Sequence, residues 1–138
     1  MRIAVGVFAM LALLPARSHA DAAPRADYLI HCAGCHGEDG RGLAGHVPSM
    51  RGTVAALAAF PEGRRYRLGV PGVTQSDLSE AQMATVLNWI VRDFKVPGPA
   101  VTVVPFTAAE VARARQAPLL DVTATRERLV RRLPPALR

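Results

Sequence analysis

The chain has 138 residues and carries 17 Lys and Arg against 11 Asp and Glu, a formal net charge of +6. This length allows one domain with a modest hydrophobic core. The positive charge is not gathered into a basic stripe with interleaved aromatic residues, and only 5% of the residues are aromatic, which argues against a nucleic-acid-binding protein.

Residues 1–20 have the pattern of a cleaved secretory signal peptide. Arg2 supplies the positive start, an apolar run follows from Ile3 to Leu14, and Ser18-His19-Ala20 is a small-x-small cleavage site. The run is shorter than the ~20 residues that span a bilayer, although an uncleaved anchor is the alternative. We therefore expect a soluble, exported mature chain with no transmembrane segment and with 15 basic against 11 acidic residues.

The next segment predicts a helix from Pro24 to Cys35, with Asp21 as a candidate cap and Gly37 ending it. It carries the motif Cys32-Ala33-Gly34-Cys35-His36, which is typical of c-type haem attachment. On a helix, residues three and four apart share one face, so both sulfurs can reach one haem edge while His36 lies near the iron. The motif therefore predicts two thioether bonds and a proximal axial imidazole.

Three other interpretations of the motif are weaker. A thioredoxin-like redox pair follows a strand in a βαβ pattern, which is not visible here. A structural zinc site needs four ligands, and the mature chain offers only Cys32, Cys35, His31, His36 and His46, several of them adjacent in sequence. A disulfide across two residues closes a very short loop and gains little chain entropy.

The chain then alternates between loops and short helices. Glu38 to Gly42 is rich in turn-forming residues, and residues 43–52 have no helical or strand period, so we expect them to line a cofactor pocket. Thr53 predicts a cap for a helix over Val54–Phe60, ended by Pro61, and residues 62–69 predict another helical turn with Tyr66 and Leu68 inward. Three arginines in that turn face solvent in the favoured interpretation and a haem propionate in the alternative: Arg64, Arg65 and Arg67.

The clearest helix begins after Ser79, which forms a capping box with Gln82, while Leu78 and Met83 occupy the positions of a hydrophobic staple. Its apolar stripe must be buried, and the first helix and the haem edge are the available partners. Pro97-Gly98 follows its end. The stripe consists of Met83, Val86, Leu87, Ile90, Val91 and Phe94, with Trp89 beside it.

Together these parts resemble the small class I cytochrome c family over residues 24–95. The resemblance rests on a helix ending in Cys-x-x-Cys-His-Gly, the Asp39-Gly40-Arg41-Gly42 loop, a Pro-containing pocket loop, and a closing helix introduced by Leu78-Ser79-Glu80. It implies an all-α fold in which the first and last helices cross beside one covalently bound haem c. It also implies thioethers at Cys32 and Cys35, axial ligation by His36, and one-electron transfer in the periplasm.

The chain departs from that family where a distal Met is usual. The stretch 69–77, Gly-Val-Pro-Gly-Val-Thr-Gln-Ser-Asp, contains no Met. Met83 is assigned to the staple and core, so Met50 in the pocket loop is the best remaining thioether for the sixth coordination position. His46 is the next candidate, and a vacant or water-occupied position is the third. These alternatives stay open at the level of sequence.

Beyond Lys95 we expect a Pro-rich linker over 96–106 and a basic helical extension over 107–138, in addition to the haem domain of residues 21–95. Thr107 and Glu110 predict a second capping box. A further helix is expected from Asp121 to Leu133, with an apolar face opposite Arg126, Arg128, Arg131 and Arg132. It either packs on the haem domain with a solvated basic side, or docks an acidic redox partner or an anionic membrane surface.

The sequence therefore predicts an all-α, class I cytochrome c-like monohaem protein of the periplasm with a helical C-terminal tail. We expect an electron carrier rather than an enzyme, serving a dehydrogenase or reductase and a respiratory oxidase. A gas-binding or redox-sensing haem protein with an open distal site is the alternative, and a small haem peroxidase is a weaker one.

Overall fold

The computed structural model describes residues 22–98 and 100–137, and the regular structure in these residues is helical. An isolated bridge between Leu43 and Val47 is the sole β pairing in these two ranges. The predicted all-α class with a helical C-terminal tail is confirmed, while the signal peptide and the Asp21 cap lie outside the described residues. The helices are α1 (Ala22–His31), α2 (Ala33–His36), α3 (Thr53–Ala58), α4 (Pro61–Gly69), α5 (Pro71–Thr74), α6 (Glu80–Asp93), α7 (Ala108–Gln116) and α8 (Val122–Arg131), followed by a 3-10 turn at Pro135–Leu137.

Helix α6 forms where the sequence predicts it. The Ser79 hydroxyl accepts a hydrogen bond from the backbone N–H of Gln82, and the Gln82 side chain accepts one from the backbone N–H of Ser79, so the capping box is complete. Leu78 and Met83, the two staple positions, are both buried. The predicted stripe lies in the core, although Val91 is only partly buried. Local capping and tertiary burial therefore favour the same helix.

The first helix packs against the end of α6 through three aromatic rings. The ring centroid of Tyr28 lies 5.2 Å from that of Trp89 and 5.1 Å from that of Phe94, and the latter two are 5.3 Å apart. These are distances at which aromatic pairs attract beyond their burial. A Cβ on Gly40, which has φ +72°, would lie 2.6 Å from the Phe94 ring, so the loop after the motif approaches this cluster closely.

The C-terminal third folds back on residues 22–95. Phe106 exchanges two hydrogen bonds with the Asn88 side chain of α6: its N–H donates to Oδ1 at 2.7 Å, and its carbonyl accepts from Nδ2 at 3.0 Å. Phe106 and Val111 join the main core, and Leu129 and Leu133 form a second cluster with α3 and α4. The tail is thus a packed layer of the domain. None of the described helices is long and apolar enough to cross a membrane.

Three local predictions differ from the structure. The expected helix from Pro24 to Cys35 is divided at Cys32, whose φ of −128° and ψ of −37° depart from helical values. Gly52 with φ +77° precedes α3, and Thr53 lies inside that helix, donating to the Ser49 carbonyl instead of capping. Pro71-Gly72 has the composition of a chain break before the clearest helix, but Pro71 instead begins the one-turn helix α5. A proline is tolerated at a first helical position, where its missing N–H would have no partner within the helix.

Candidate haem site

The Cys-x-x-Cys-His segment is held in a compact turn by its own backbone and by Tyr28. The N–H of His36 donates to the Cys32 carbonyl at 3.1 Å, and the N–H of Gly37 donates to the Ala33 carbonyl at 2.8 Å. The buried Tyr28 hydroxyl donates to the Gly37 carbonyl at 2.6 Å, and burial raises the pKa of this phenol to about 12. The phenol therefore stays a proton donor and holds the end of the motif on α1.

His36 has the features of a neutral metal-binding imidazole. Burial lowers its pKa, the Arg67 charge lowers it further, and the nearby Pro48 carbonyl opposes these effects. The neutral ring is the form that coordinates iron. Nδ1 is buried and has no hydrogen-bond partner among the described residues. A ligating histidine usually donates its second ring N–H to a carbonyl or carboxylate, and the Pro48 backbone is the group that lies beside this ring.

The pocket loop that carries Pro48 is anchored to the motif. The N–H of Gly42 donates to the His36 carbonyl at 2.8 Å, and the N–H of Met50 donates to the Gly40 carbonyl at 2.8 Å. Gly42 has φ +71°, and a Cβ there would meet the Val47 carbonyl oxygen and lie 2.9 Å from the Pro48 oxygen. Only glycine allows this close approach of two backbone segments.

Cys32 and Cys35 are free thiols, the first partly buried and the second exposed. Burial raises the pKa of the Cys32 thiol, with the Arg67 charge opposing the shift. A redox-active pair instead has a thiol with a lowered pKa, so this environment does not favour a thioredoxin-like site. In the described part of the chain, no three His, Cys, Asp or Glu residues converge as a metal cluster, so no observation supports structural zinc.

The motif opens into a cavity of about 970 Å³, at the upper end of the roughly 300–1,000 Å³ typical of cofactor sites. Cys32, Cys35 and His36 form one part of its lining. Aliphatic side chains from α5 and α6 form another, and such a lining suits a flat apolar macrocycle. They are Val73, Met83, Val86, Leu87 and Ile90, with Val70 just before α5.

The candidate sixth ligands all reach this cavity. Met50 lines it and is 7% exposed, and His46 lies on its exposed loop. Met83 also lines the cavity, in addition to its place in the core next to Leu78. The 69–77 stretch contributes Val70, Pro71, Gly72 and Val73, which include no good ligand for iron.

Three arginines also line the cavity: Arg41, which pairs with Asp39, and Arg67 and Arg126. The sequence identified only Arg67 as a candidate for this cavity. Arg67 points into the cavity, as the propionate alternative requires, whereas Arg64 pairs with Glu110 and Arg65 is exposed. The prediction that Arg126 lies opposite the apolar face of α8 is wrong, because Arg126 lines the cavity together with Val122. Their spacing of four residues places them on one helical face, and this signal in the sequence was missed.

A small all-helical chain in which a Cys-x-x-Cys-His motif opens into a largely apolar cavity has the fold and the site of a c-type cytochrome. Two relatives support this class: a cytochrome c-552 of Thermus thermophilus, and the cytochrome c-552 of one particular strain of the same species. Each is 30% identical over 118 residues, covering 71% of this chain and 90% and 80% of the relatives, respectively. No protein-family model and no solved structure match the chain.

The chain belongs to the class I cytochrome c family. Membership implies a covalently bound haem c with iron and an electron-carrying role, which agrees with the prediction from the motif. The residues present fit this group: two free thiols, an imidazole with a buried unpaired nitrogen, and an apolar cavity beside them. The match covers a larger share of the chain than residues 24–95, to which the resemblance in sequence was limited.

Proposed function

We propose that the protein is an exported, periplasmic one-electron carrier with a single haem c. Cys32 and Cys35 form the two thioether bonds, and His36 is the proximal axial ligand. The observation that carries this proposal is that all three residues line one cavity of about 970 Å³, whose lining also includes aliphatic side chains of α5 and α6. The signal peptide pattern of residues 1–20 supports export.

The haem supplies an iron centre that gains and loses one electron. The chain's own residues set the environment in which this happens. Burial favours the neutral form of the His36 imidazole, and the Pro48 backbone lies beside the ring, where it can help to fix the ring's orientation. The aliphatic lining excludes water and lowers the local dielectric, which are two of the ways in which a protein adjusts the potential of such a centre.

Met50 is the proposed sixth ligand. Its buried side chain lines the cavity, and its thioether is a soft donor that suits haem iron. His46 and an open position are the competing proposals, and each predicts a different spectrum. A thioether at this position makes the protein an electron carrier with a closed iron site.

The proposed partners are redox proteins: a dehydrogenase or reductase that donates the electron and a respiratory oxidase that accepts it. The exposed side of α8 carries Arg128 and Arg131, and Arg132 follows directly after the helix; this charge supports docking on an acidic partner surface. The same charge supports at most a weak contact with an anionic membrane surface. Catalysis is not needed for this role.

The test of covalent attachment is the mature protein made in a periplasm with haem maturation. Its haem should survive denaturation and acid-organic extraction, and its mass should equal that of residues 21–138 plus one haem. Cys32→Ala with Cys35→Ala should abolish attachment. His36→Ala should change the iron spectrum, whereas His31→Ala is the matched control that should not. Extractable haem, or a mass equal to the bare polypeptide, would contradict the proposal.

A further inference from the structure

The cavity contains a pair of positive charges that the protein itself does not neutralise. Arg67 on α4 and Arg126 on α8 both line it. The Arg67 Nε is buried and has no hydrogen-bond partner. Burial lowers the pKa of this guanidinium, and the charge of Arg126 lowers it further while Tyr66 and Cys32 oppose the shift. The two guanidinium groups thus lie in the lining of one cavity, where like charges disfavour each other.

Within the described residues, no carboxylate forms an ion pair with Arg67 or Arg126. Glu127 is the acidic side chain of the lining, but it is 61% exposed and its ion pair is with Arg131, at 3.9 Å. Other arginines of the domain are paired: Arg64 with Glu110, Arg115 with Glu80 and Arg132 with Glu62. A buried cation without a partner costs several kcal/mol, so a folded domain retains one where an anion is bound.

We propose that Arg67 and Arg126 together bind a haem propionate, so that the C-terminal helix α8 forms part of the haem site. This inference rests on the proposed function, because it requires the haem to be anchored at the Cys32 end of the same cavity. A guanidinium presents N–H groups in a planar fork that matches a carboxylate. Tyr66, next to Arg67 in sequence, also lines the cavity.

The pairing has a consequence for the reduction potential. Positive charge beside the haem favours the reduced state, which carries one electron more. It also holds the propionate ionised, because an adjacent opposite charge lowers a carboxyl pKa. With both arginines present, the propionate keeps one charge across neutral pH. Without one of them, the pKa of the propionate rises. The propionate then loses its proton nearer to neutral pH, and the reduction potential falls as the pH rises through that pKa.

The experiment measures the midpoint potential of the holoprotein from pH 5 to pH 8 in Arg67→Gln and Arg126→Gln. Each variant should lower the potential at pH 7, by about tenfold in the reduction equilibrium or about 59 mV for one electron, and should gain a pH dependence that the parent lacks. Arg67→Lys, which keeps the charge, should retain more of the potential than Arg67→Gln. Other titratable groups of the lining are common to all variants: His31, Cys32, Cys35, His36, Arg41, His46, Tyr66 and Glu127.

Two exposed arginines on the same helices are the matched controls: Arg65→Gln on α4 and Arg128→Gln on α8 should leave the potential and its pH profile unchanged. If the cavity variants lose stability but keep the parental potential and profile, the arginines are structural and the inference is overturned. The same holds if the controls shift the potential as much. Covalent haem, read by mass in every sample, tests the proposed function separately.

Discussion

The Arg64 guanidinium of α4 and the Glu110 carboxylate of α7 form a two-point ion pair, with Nε 2.7 Å from Oε1 and Nη2 2.9 Å from Oε2. The same arginine donates to the Val104 and Pro105 carbonyls and lies 4.2 Å from the centre of the Phe106 ring. Glu110 also completes the capping box with Thr107. A single pair thus fixes the linker and the start of α7 on the haem domain.

This pair predicts a loss of stability in acid. The hydrogen bonds from Arg64 lower the Glu110 pKa from 4.5 to about 2. Because the Glu110 pKa is lower in the folded protein than in the unfolded chain, the ionised carboxylate stabilises the folded state. This stabilisation is complete above about pH 4.5, the pKa in the unfolded chain, and is lost as the pH falls through about 2, the pKa in the folded protein. At 1.36 kcal/mol for each pKa unit it amounts to at most about 3 kcal/mol. Urea unfolding at pH 7, 4 and 2.5 measures it.

Glu110→Gln isolates the charge, because glutamine can still serve in the capping box. We expect it to lower the free energy of unfolding at pH 7 by about 1–3 kcal/mol and to have a smaller effect at pH 2.5. Glu38→Gln, in the exposed loop after the motif, is the control. An equal effect of Glu110→Gln at both pH values would contradict the assignment.

Removing the chain after Lys95 should destabilise the haem domain at every salt concentration. The truncation removes Phe106, Val111, Leu129 and Leu133, all at most 6% exposed, and burial of a large apolar side chain contributes roughly 1.5–3 kcal/mol. It also leaves the Asn88 side chain without the Phe106 backbone. Thermal unfolding monitored by haem absorbance, at low and high salt, is the measurement; an unchanged midpoint would show that the tail adds no stability.

The docking role of the tail needs a variant that keeps the fold. Arg128→Glu reverses one exposed charge on α8, and we expect it to slow electron transfer to an acidic partner at low salt. The effect should vanish at high salt, because exposed charges are screened over ~10 Å at 0.1 M. Stopped-flow rates with an acidic redox protein provide the readout. Rates independent of both the charge and the salt would exclude steering by this face.

Gly42→Ala should destabilise the pocket loop and displace the Pro48 carbonyl from His36. Its new Cβ would collide with the Val47 carbonyl and crowd that of Pro48, and both are backbone groups that cannot rotate away. Gly45→Ala is the matched control, since its φ of +79° is similar but nothing lies within 4 Å. We expect about 1–2 kcal/mol for the control, the cost of the left-handed backbone alone, and a larger loss for Gly42→Ala. Chemical denaturation compares the two.

The sixth ligand can be read from spectra. If Met50 binds the iron, the oxidised protein should show the weak near-infrared band of thioether ligation, the reduced protein should resist CO, and Met50→Leu should remove the band and admit CO. If His46 binds, the band should be absent in the parent and His46→Ala should create the CO site. Immediate CO binding by the parent, with both variants unchanged, would exclude both residues and favour an open site.

Helix α6 was predictable because its signals agree: a capping box at Ser79, a staple at Leu78 and one apolar stripe all indicate the same segment. The distortion at Cys32 was not, because the apolar period continues through Cys32 and no glycine or proline in residues 25–31 signals a break. Arg126 was assigned to solvent by residue type although its spacing from Val122 indicated the buried face. The group proposed to balance the charges of Arg67 and Arg126 is a haem propionate, which is not an amino acid, so the sequence could not show it.

The position of α8 in the wall of the cavity also bears on the order in which the haem is attached and the cavity is closed. A chain that emerges from its N-terminus presents Cys32 and Cys35 about 90 residues before Val122, so the thiols are accessible while that side of the cavity is still open. Closure of the wall can follow the proposed attachment of the haem, and α8 then covers a group that is already bound.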